Sequence, residues 1–362
     1  MTVRWAWLYS QRVDLAMLGV PVAFVAAAAA LSPLGRDGDA VRLEAAWLAQ
    51  FVLGNSTHVI LTYLLAIARP DFLRATRGQA ATVIGGALAT FAAGFGAFAL
   101  SDRVFSGGSD FVTAVALVFA THHTVSQVRG VWSLYGLAAE RAGTRAPSGR
   151  ERSMQRSFVP VALLLVVLRL FFVEKAPGRM YPYVQAVPGL PAPLPWAASL
   201  GLIAAWLAFG GVLLREVALG DRSDRPASAP KFAYVTLHVA TVSLTLTAPG
   251  WGLVLSSAIH GVEYFLLTAR MLEPRSDAEA GRLPRWAIWP AMLLAMAPLF
   301  VIGLLNAPFT YAIAPAEHER TYGTLRALLN GVVLSHYFAD AFLYRFRIPE
   351  VRRTALLRLG MS

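Results

Sequence analysis

The sequence contains no cysteine among its 362 residues. This absence excludes disulfide bonds, thiolate-ligated metals, cysteine-ligated iron–sulfur clusters and cysteine nucleophiles. Charged residues are also scarce, at 15% of the chain, where an ordinary soluble domain has about a quarter. Hydrophobic residues make up 56%. This balance is typical of a polytopic integral-membrane protein of the all-α class.

Ten apolar stretches are long enough to cross a bilayer as helices, which takes about 17–25 residues. They fall near 13–33, 45–68, 80–100, 110–137, 157–173, 194–214, 232–248, 250–270, 285–305 and 322–346. Pro249-Gly250 separates the seventh and eighth stretches and predicts a tight antiparallel hairpin there. We expect one integral-membrane domain over 1–362, folded as a bundle of about ten transmembrane helices.

The net charge of +11 comes from basic residues in the short segments between the apolar stretches. With alternate loops counted together, 24 of the 32 Lys and Arg residues lie on one side of the membrane and six on the other. Arg169 and Arg326 lie within spans, where we expect each to reach an interface or pair with a carboxylate. The positive-inside rule places both termini in the cytoplasm. We expect a bacterial inner-membrane (cytoplasmic-membrane) protein with membrane lipids, and not nucleic acid, as partners.

Six of the seven histidines lie within predicted spans, on five different helices: His58, His122, His123, His238, His260 and His336. At 1.5 Å per residue, each is roughly 9–17 Å from the basic residue at the cytoplasmic end of its helix. An imidazole inside a bilayer is costly unless it pairs with another group, so this shared depth predicts one functional site. His318 precedes the last span, and we expect it to be a solvated loop residue.

Two of these histidines have a carboxylate one helical turn away. Glu263 follows His260 at i+3, with Tyr264 at i+4, and Asp340 follows His336 at i+4. Residues at these spacings share a helix face, and a buried carboxylate needs a cation, a proton or a metal. We therefore predict that the six histidines, Glu263 and Asp340 are metal ligands. Glu263, Asp340 and Tyr264 are also the candidate catalytic residues.

Imidazole and carboxylate ligands without sulfur suit iron, copper, manganese or zinc. The candidate ligands exceed those of one tetrahedral zinc site, which favours two ions, or one ion whose ligands are held by further hydrogen bonds. His122 and His123 diverge by about 100° around their helix, so one faces the site and the other supports it. The sequence leaves open which one. Gln127, one turn after His123, is a candidate supporting residue.

Intramembrane histidines at a common depth on a polytopic helical scaffold, including the His122-His123 doublet, resemble the histidine-rich integral-membrane non-haem iron oxygenases. These include the membrane hydroxylases and desaturases and the bacterial carotene-cleaving dioxygenases. The H-x3–4-H and H-x2–3-H-H boxes of the hydroxylases and desaturases do not occur in this sequence. The resemblance implies an iron cofactor of one or two ions, oxygenase activity on an apolar lipid-like or isoprenoid substrate, and an electron donor.

Three other functions would use the same residues. Paired histidines on facing helices can ligate haem b in an electron-transfer protein. A relay of His, Glu and Asp can carry protons or metal ions in a transporter. His and Asp can also act as acid and base, without metal, in a membrane transferase or hydrolase. The sequence leaves these alternatives open beside the oxidoreductase.

Overall fold

The computed structural model describes residues 3–4, 6–31, 58–71, 74, 80–104, 108–173, 194–219, 226–305, 315–343 and 348–361. These residues are almost entirely helical, which confirms the predicted all-α class. In the described part of the chain, the one paired set of strands is short: β1 (Val3–Arg4) lies parallel to β2 (Ala227–Ser228). The first half of the second predicted span, 45–57, lies outside the described residues.

Ten of the described helices overlap the predicted apolar stretches, whereas the short helices Asp277–Arg282 and Pro349–Arg358 match none of them. The described helices are α1 (Gln11–Leu31), α2 (Leu61–Ala68, preceded by the 3₁₀ turn His58–Ile60), α3 (Ala80–Val104), α4 (Gly108–Arg141), α5 (Gly149–Val167, continued by the π-helical turn Leu168–Phe172), α6 (Ala198–Leu219), α7 (Ala229–Thr247), α8 (Pro249–Leu272), α9 (Asp277–Arg282), α10 (Ile288–Leu305, preceded by the 3₁₀ turn Arg285–Ala287), α11 (Pro315–Leu343) and α12 (Pro349–Arg358).

Six of these helices are long and apolar enough to cross a membrane. They span Ala80–Ser101, Phe111–Arg141, Gly149–Phe172, Ala198–Leu219, Pro249–Leu272 and Arg285–Ile302. Each exceeds the roughly 17 residues that a crossing helix needs. The length and composition of these helices therefore confirm the prediction of a membrane protein with transmembrane helices.

The chain, predicted from the sequence as a single domain, divides into two compact units. The first unit comprises Met1–Leu43 and Ala114–His260, and the second comprises Glu44–Thr113 and Gly261–Ser362. α4 and α8 each contribute to both units, since the division falls within these two helices.

In the first unit, α7 and α8 form a hairpin in which Ala248 alone separates the two helices. The helices approach closely just after this turn. A Cβ atom added to Gly252 would overlap the Cα of Thr245, so no larger residue fits without displacing backbone. Glycine at this position therefore allows the tight turn that Pro249-Gly250 predicts.

In the second unit, α3 and α11 pack against each other over much of their length. Glycines allow the two backbones to approach. A Cβ on Gly331 would lie 2.9 Å from the carbonyl oxygen of Phe91, and one on Gly94 would lie 3.1 Å from that of Asn330. Small residues at a helix interface are the usual means of close packing in membranes, where lipid gives apolar side chains no reason to associate. This pair holds α11 in place beside α2.

Candidate metal centre

Polar side chains are buried in several of the helices predicted to span the membrane, and large apolar side chains are exposed on others. Polar residues buried within helices that were predicted to span include His58, Thr62, His238, His260, Glu263, His336 and Asp340. Large apolar side chains are exposed on α3, α4, α5, α6 and α10, among them Leu88, Phe119, Leu164, Leu200 and Leu294. Buried ionisable groups in such helices usually mark a functional site.

In the second unit, residues from the 3₁₀ turn before α2 and from α2, α8 and α11 meet around one threonine hydroxyl. We call this group the Thr62 cluster: His58, Thr62, Tyr264, His336 and Asp340. Thr62 Oγ1 donates to Asp340 Oδ1 at 2.7 Å and lies 2.8 Å from His336 Nδ1. Tyr264 Oη lies 3.1 Å from Asp340 Oδ1 and within hydrogen-bond distance of Thr62 Oγ1, and it has one proton to donate to either of them. The ring centroid of His58 lies 4.7 Å from that of Tyr264 and 5.1 Å from that of His336.

These hydrogen bonds assign the tautomer of His336. A threonine hydroxyl has one proton, and Thr62 gives it to the Asp340 carboxylate. Thr62 Oγ1 must then accept from His336, so the Nδ1 atom of His336 carries a proton. A neutral imidazole with Nδ1–H has its lone pair on Nε2, and this atom lies 3.5 Å from Asp340 Oδ2. His336 Nε2 and Asp340 Oδ2 are therefore two electron-pair donors a short distance apart, and each side chain is oriented by a hydrogen bond with Thr62. Pairs of metal ligands in proteins are arranged in this way.

The Thr62 cluster holds two imidazoles and one carboxylate. His58, His336 and Asp340 are all at least nine-tenths buried. Two histidines and one carboxylate with open positions are the ligand set of non-haem Fe(II) oxygenases, although Zn²⁺ also binds such sets. By ligand type, the donor set therefore suits a transition metal.

In the first unit, His123 on α4 and His260 on α8 form a second pair. Their ring centroids lie 5.0 Å apart with the rings nearly perpendicular, and each offers a nitrogen within 4.8 Å of the other. The side-chain amide of Gln127 donates to the backbone oxygen of His260 at 3.2 Å, which ties the two helices together beside the pair. Gln127 therefore supports the backbone of one predicted ligand.

Three predicted site residues lie elsewhere. His122 is exposed, and its Nε2 atom lies 3.5 Å from Ser126 Oγ one turn along α4. His238 is buried against the ring of Tyr234, with ring centroids 4.5 Å apart. Glu263 is buried on α8. Among the described residues, these three do not join the closely spaced groups of potential ligand atoms.

His318 lies in the first turns of α11, because this helix begins at Pro315 and not near 322. The expectation of a loop at this position was wrong. Proline is favoured in the first turn of a helix, where its missing N–H group costs nothing, and the helix starts with it.

Comparison with protein-family models, with curated proteins and with solved structures finds no match.

Sequence reasoning did not assign a role to Thr62, Tyr63 or Ser335. Tyr63 Oη is hydrogen-bonded to Ser335 Oγ next to the Thr62 cluster, and so links α2 to α11 one residue before His336. Thr62 does carry a signal in the sequence, because it follows His58 at i+4 and so shares its helix face. Tyr63 and Ser335 carry no such signal, since their pairing joins positions 272 residues apart.

Proposed function

We propose that the chain is an integral-membrane metalloprotein, and that its function is that of an oxidoreductase of the oxygenase type. Its substrate is an apolar lipid-like or isoprenoid compound. The observation that supports this proposal is the Thr62 cluster, where His58, His336 and Asp340 provide two imidazoles and one carboxylate in a buried position. Iron is the metal we propose for this ligand set.

The side chains around the ligands have distinct tasks in this proposal. Bound iron supplies the one-electron redox and dioxygen chemistry that amino-acid side chains lack. Thr62 keeps Nε2 of His336 as the electron-pair donor by accepting from its Nδ1–H. Tyr264 holds a proton at Oη, 3.1 Å from Asp340 Oδ1, where it can be given up and recovered during turnover. Glu263, buried one residue before Tyr264, is a further acid–base candidate.

The His123–His260 pair is the proposed place for a second metal ion in the first unit. Two imidazoles alone leave most coordination positions open, so this ion would bind more weakly than the ion in the Thr62 cluster. The proposal therefore predicts one tightly bound metal per chain, with a second at higher metal concentration.

The proposed setting is a bacterial inner membrane, crossed ten times with both termini in the cytoplasm. The alternation of 24 and six basic residues between successive loops supports this arrangement. The exposed apolar faces of the candidate spans support contact with lipid, from which an apolar substrate would enter. Reducing equivalents would come from a separate electron donor.

Metal analysis of purified protein, produced with iron supplied, tests the proposal. We expect about one iron per chain at low metal concentration, and we expect His336→Ala and Asp340→Asn each to lower metal affinity at least tenfold. His122→Ala is the matched control, because this exposed imidazole is next to a predicted ligand. Full metal occupancy in both variants, zinc in place of iron after loading with either metal, or a haem Soret band would overturn the proposal.

A further inference from the structure

Arg169 is a buried arginine within a candidate membrane span. It lies in the π-helical turn Leu168–Phe172 that ends α5, and only 3% of its surface is exposed. Its Nε atom donates to the backbone oxygen of Leu246 at 3.0 Å. Its Nη1 atom is buried and has no hydrogen-bond partner among the residues that the structure describes. Nε therefore fixes the guanidinium in place, while the N–H groups of Nη1 have no acceptor among the described residues.

A buried guanidinium with an unsatisfied N–H donor destabilises the folded state, because the arginine stays charged. A guanidinium does not deprotonate in proteins, and burial of an uncompensated charge destabilises a fold strongly. Snorkelling to the membrane surface does not relieve the cost, because the side chain is almost fully buried. No carboxylate of the described chain forms an ion pair with Arg169, and its neighbours Leu170 and Phe171 are buried apolar residues.

The second intramembrane arginine provides an internal comparison. Arg326 on α11 donates from Nη2 to Thr113 Oγ1 at 2.8 Å, and its guanidinium lies over the ring of Phe98, 5.1 Å from the centroid. A hydroxyl acceptor and an aromatic face are the usual compensation for such a cation. Among the described residues, Arg326 therefore has an acceptor and an aromatic ring beside it, whereas the Nη1 atom of Arg169 has no acceptor.

The backbone around Arg169 also departs from an ordinary helix. π-Helical turns are rare and occur frequently at functional sites, because the extra residue redirects side chains. The turn ends at Phe172, whose backbone oxygen accepts from the N–H group of Leu194 at 2.7 Å. That bond satisfies a carbonyl at the helix end without using the guanidinium.

We propose that Arg169 is an anion-binding site in the first unit. Its ligand is a small anionic group that accepts from Nη1, and Nε holds the guanidinium in position through Leu246. Two sources offer this chemistry: a free halide such as chloride, and the carboxylate of an amphiphile that enters from the bilayer. The site is distinct from the Thr62 cluster, since Arg169 and Leu246 belong to the first unit and the Thr62 cluster belongs to the second.

Thermal unfolding of the purified full-length chain in an uncharged detergent tests this inference. The starting buffer contains gluconate as the only anion, and chloride, laurate or uncharged dodecanol is then added. We expect chloride or laurate to raise the unfolding midpoint by about 3–5 °C at saturation, because a ligand that binds only the folded state stabilises it. Dodecanol should give no rise. A response to chloride identifies a free halide, and a response to laurate alone identifies an amphiphile carboxylate.

Two variants locate the effect. In Arg169→Gln the anion response should disappear, and the midpoint in gluconate should equal or exceed that of the unmodified chain, because an uncompensated buried charge is gone. Arg326→Gln should keep the anion response. Native mass spectrometry gives a second readout: the bound anion should be present in the unmodified chain and in Arg326→Gln, and absent from Arg169→Gln.

The inference is overturned by an equal anion response in Arg169→Gln or by no response of the unmodified chain to either anion. It is also overturned if the unmodified chain shows no anion response and Glu174→Gln shows one. The Glu174 carboxylate would then be the natural acceptor for the Arg169 guanidinium. None of these results bears on metal binding by the Thr62 cluster.

Discussion

One threonine hydroxyl connects three of the polar groups proposed to work at the metal site. Thr62 Oγ1 donates to Asp340, is hydrogen-bonded to Tyr264 and accepts from His336. The tautomer of His336, and with it the position of the lone pair available to a metal, follows from this single proton. Because the chain separations exceed 200 residues, no local sequence pattern reveals the connection.

Thr62→Val removes this hydroxyl while keeping the branched shape of the side chain. We expect it to lower the free energy of unfolding by about 1–3 kcal/mol, because the buried Asp340 carboxylate loses a donor and the Nδ1–H group of His336 loses an acceptor. Metal affinity should fall about 10- to 100-fold, the usual effect when a ligand loses its orienting bond. Equilibrium unfolding and metal titration measure the two effects.

Thr90→Val is the matched control for this prediction. Among the described residues, the acceptors of the Thr90 hydroxyl are carbonyl oxygens of its own helix, at 2.8 Å to Gly86 and 3.1 Å to Ala87. Its loss should change metal affinity less than about twofold, since it orients no proposed ligand. If Thr62→Val also leaves metal affinity unchanged, His336 is not held as a ligand by Thr62.

The histidine doublet shows what sequence can and cannot decide about a single residue. Helical geometry predicts that His122 and His123 face directions about 100° apart, and one is exposed while the other lies beside His260. Which of the two faces inward depends on the rotation of α4 about its own axis. Apolar residues occur all around this helix, so its sequence gives no direction for the inner face.

At the level of elements, the apolar stretches predict that helices exist better than they predict where helices end. α5 begins at Gly149, eight residues before the predicted apolar span, because Ser148 Oγ accepts from the N–H group of Glu151 at 2.9 Å. Ser-x-x-Glu is a capping signature that can be read from sequence. A count of apolar residues ignores it, since helices continue into water on polar residues.

The close packing of α3 against α11 leads to a prediction for paired glycines. A side chain at Gly94 would meet the backbone of Asn330 and Gly331, whereas one at Gly96 would meet nothing within 4 Å. We expect Gly94→Val to lower the free energy of unfolding by about 1–3 kcal/mol or more, because overpacking displaces backbone. Gly96→Val should have an effect below about 0.5 kcal/mol.

Unfolding of the two glycine variants in the same detergent measures this difference. Both substitutions add the same atoms to the same helix, so helix propensity cancels between them. Equal destabilisation would show that the two helices do not approach each other at Gly94. A loss of metal only in Gly94→Val would show that this interface also positions α11 for ligation.

At the scale of the whole molecule, one arginine joins distant segments of the second unit. Arg358 on α12 is buried and donates to Glu279 on α9 at 2.6 and 2.8 Å, and to Asp71 after α2 at 2.9 and 3.0 Å. Bidentate pairs of this kind are stronger than ordinary surface ion pairs. The hydrogen bonds from Arg358 lower the pKa of Glu279 from its ordinary 4.5 to about 2.

This lowered pKa makes the attachment of α12 sensitive to acid. A carboxylate whose pKa is lowered by folding stabilises the fold fully above its unfolded pKa of 4.5, and the effect is lost as pH falls through about 2. We expect a fluorophore on Ser362→Cys to gain mobility, measured by anisotropy, between these pH values. Arg358→Gln should show high mobility already at neutral pH, whereas the exposed Arg353→Gln should behave as the parent does. An unchanged anisotropy in Arg358→Gln would contradict the proposed attachment.

The absence of cysteine, which excludes so much chemistry, makes the ten-span topology directly testable. Each single introduced cysteine is the only thiol in the chain, so its reaction with a membrane-impermeant maleimide reports one position without background. With both termini in the cytoplasm, Ser106→Cys should react in intact cells, and Ser223→Cys should react only after the inner membrane is permeabilised. Ser362→Cys should match Ser223→Cys.

If the Ser106 and Ser223 variants react alike in intact cells, the number of spans between them is even, and the alternation of basic loops has been misread. If all three report the opposite sides, the helix count stands and the orientation is inverted, which would move the histidines to the outer half of the bilayer.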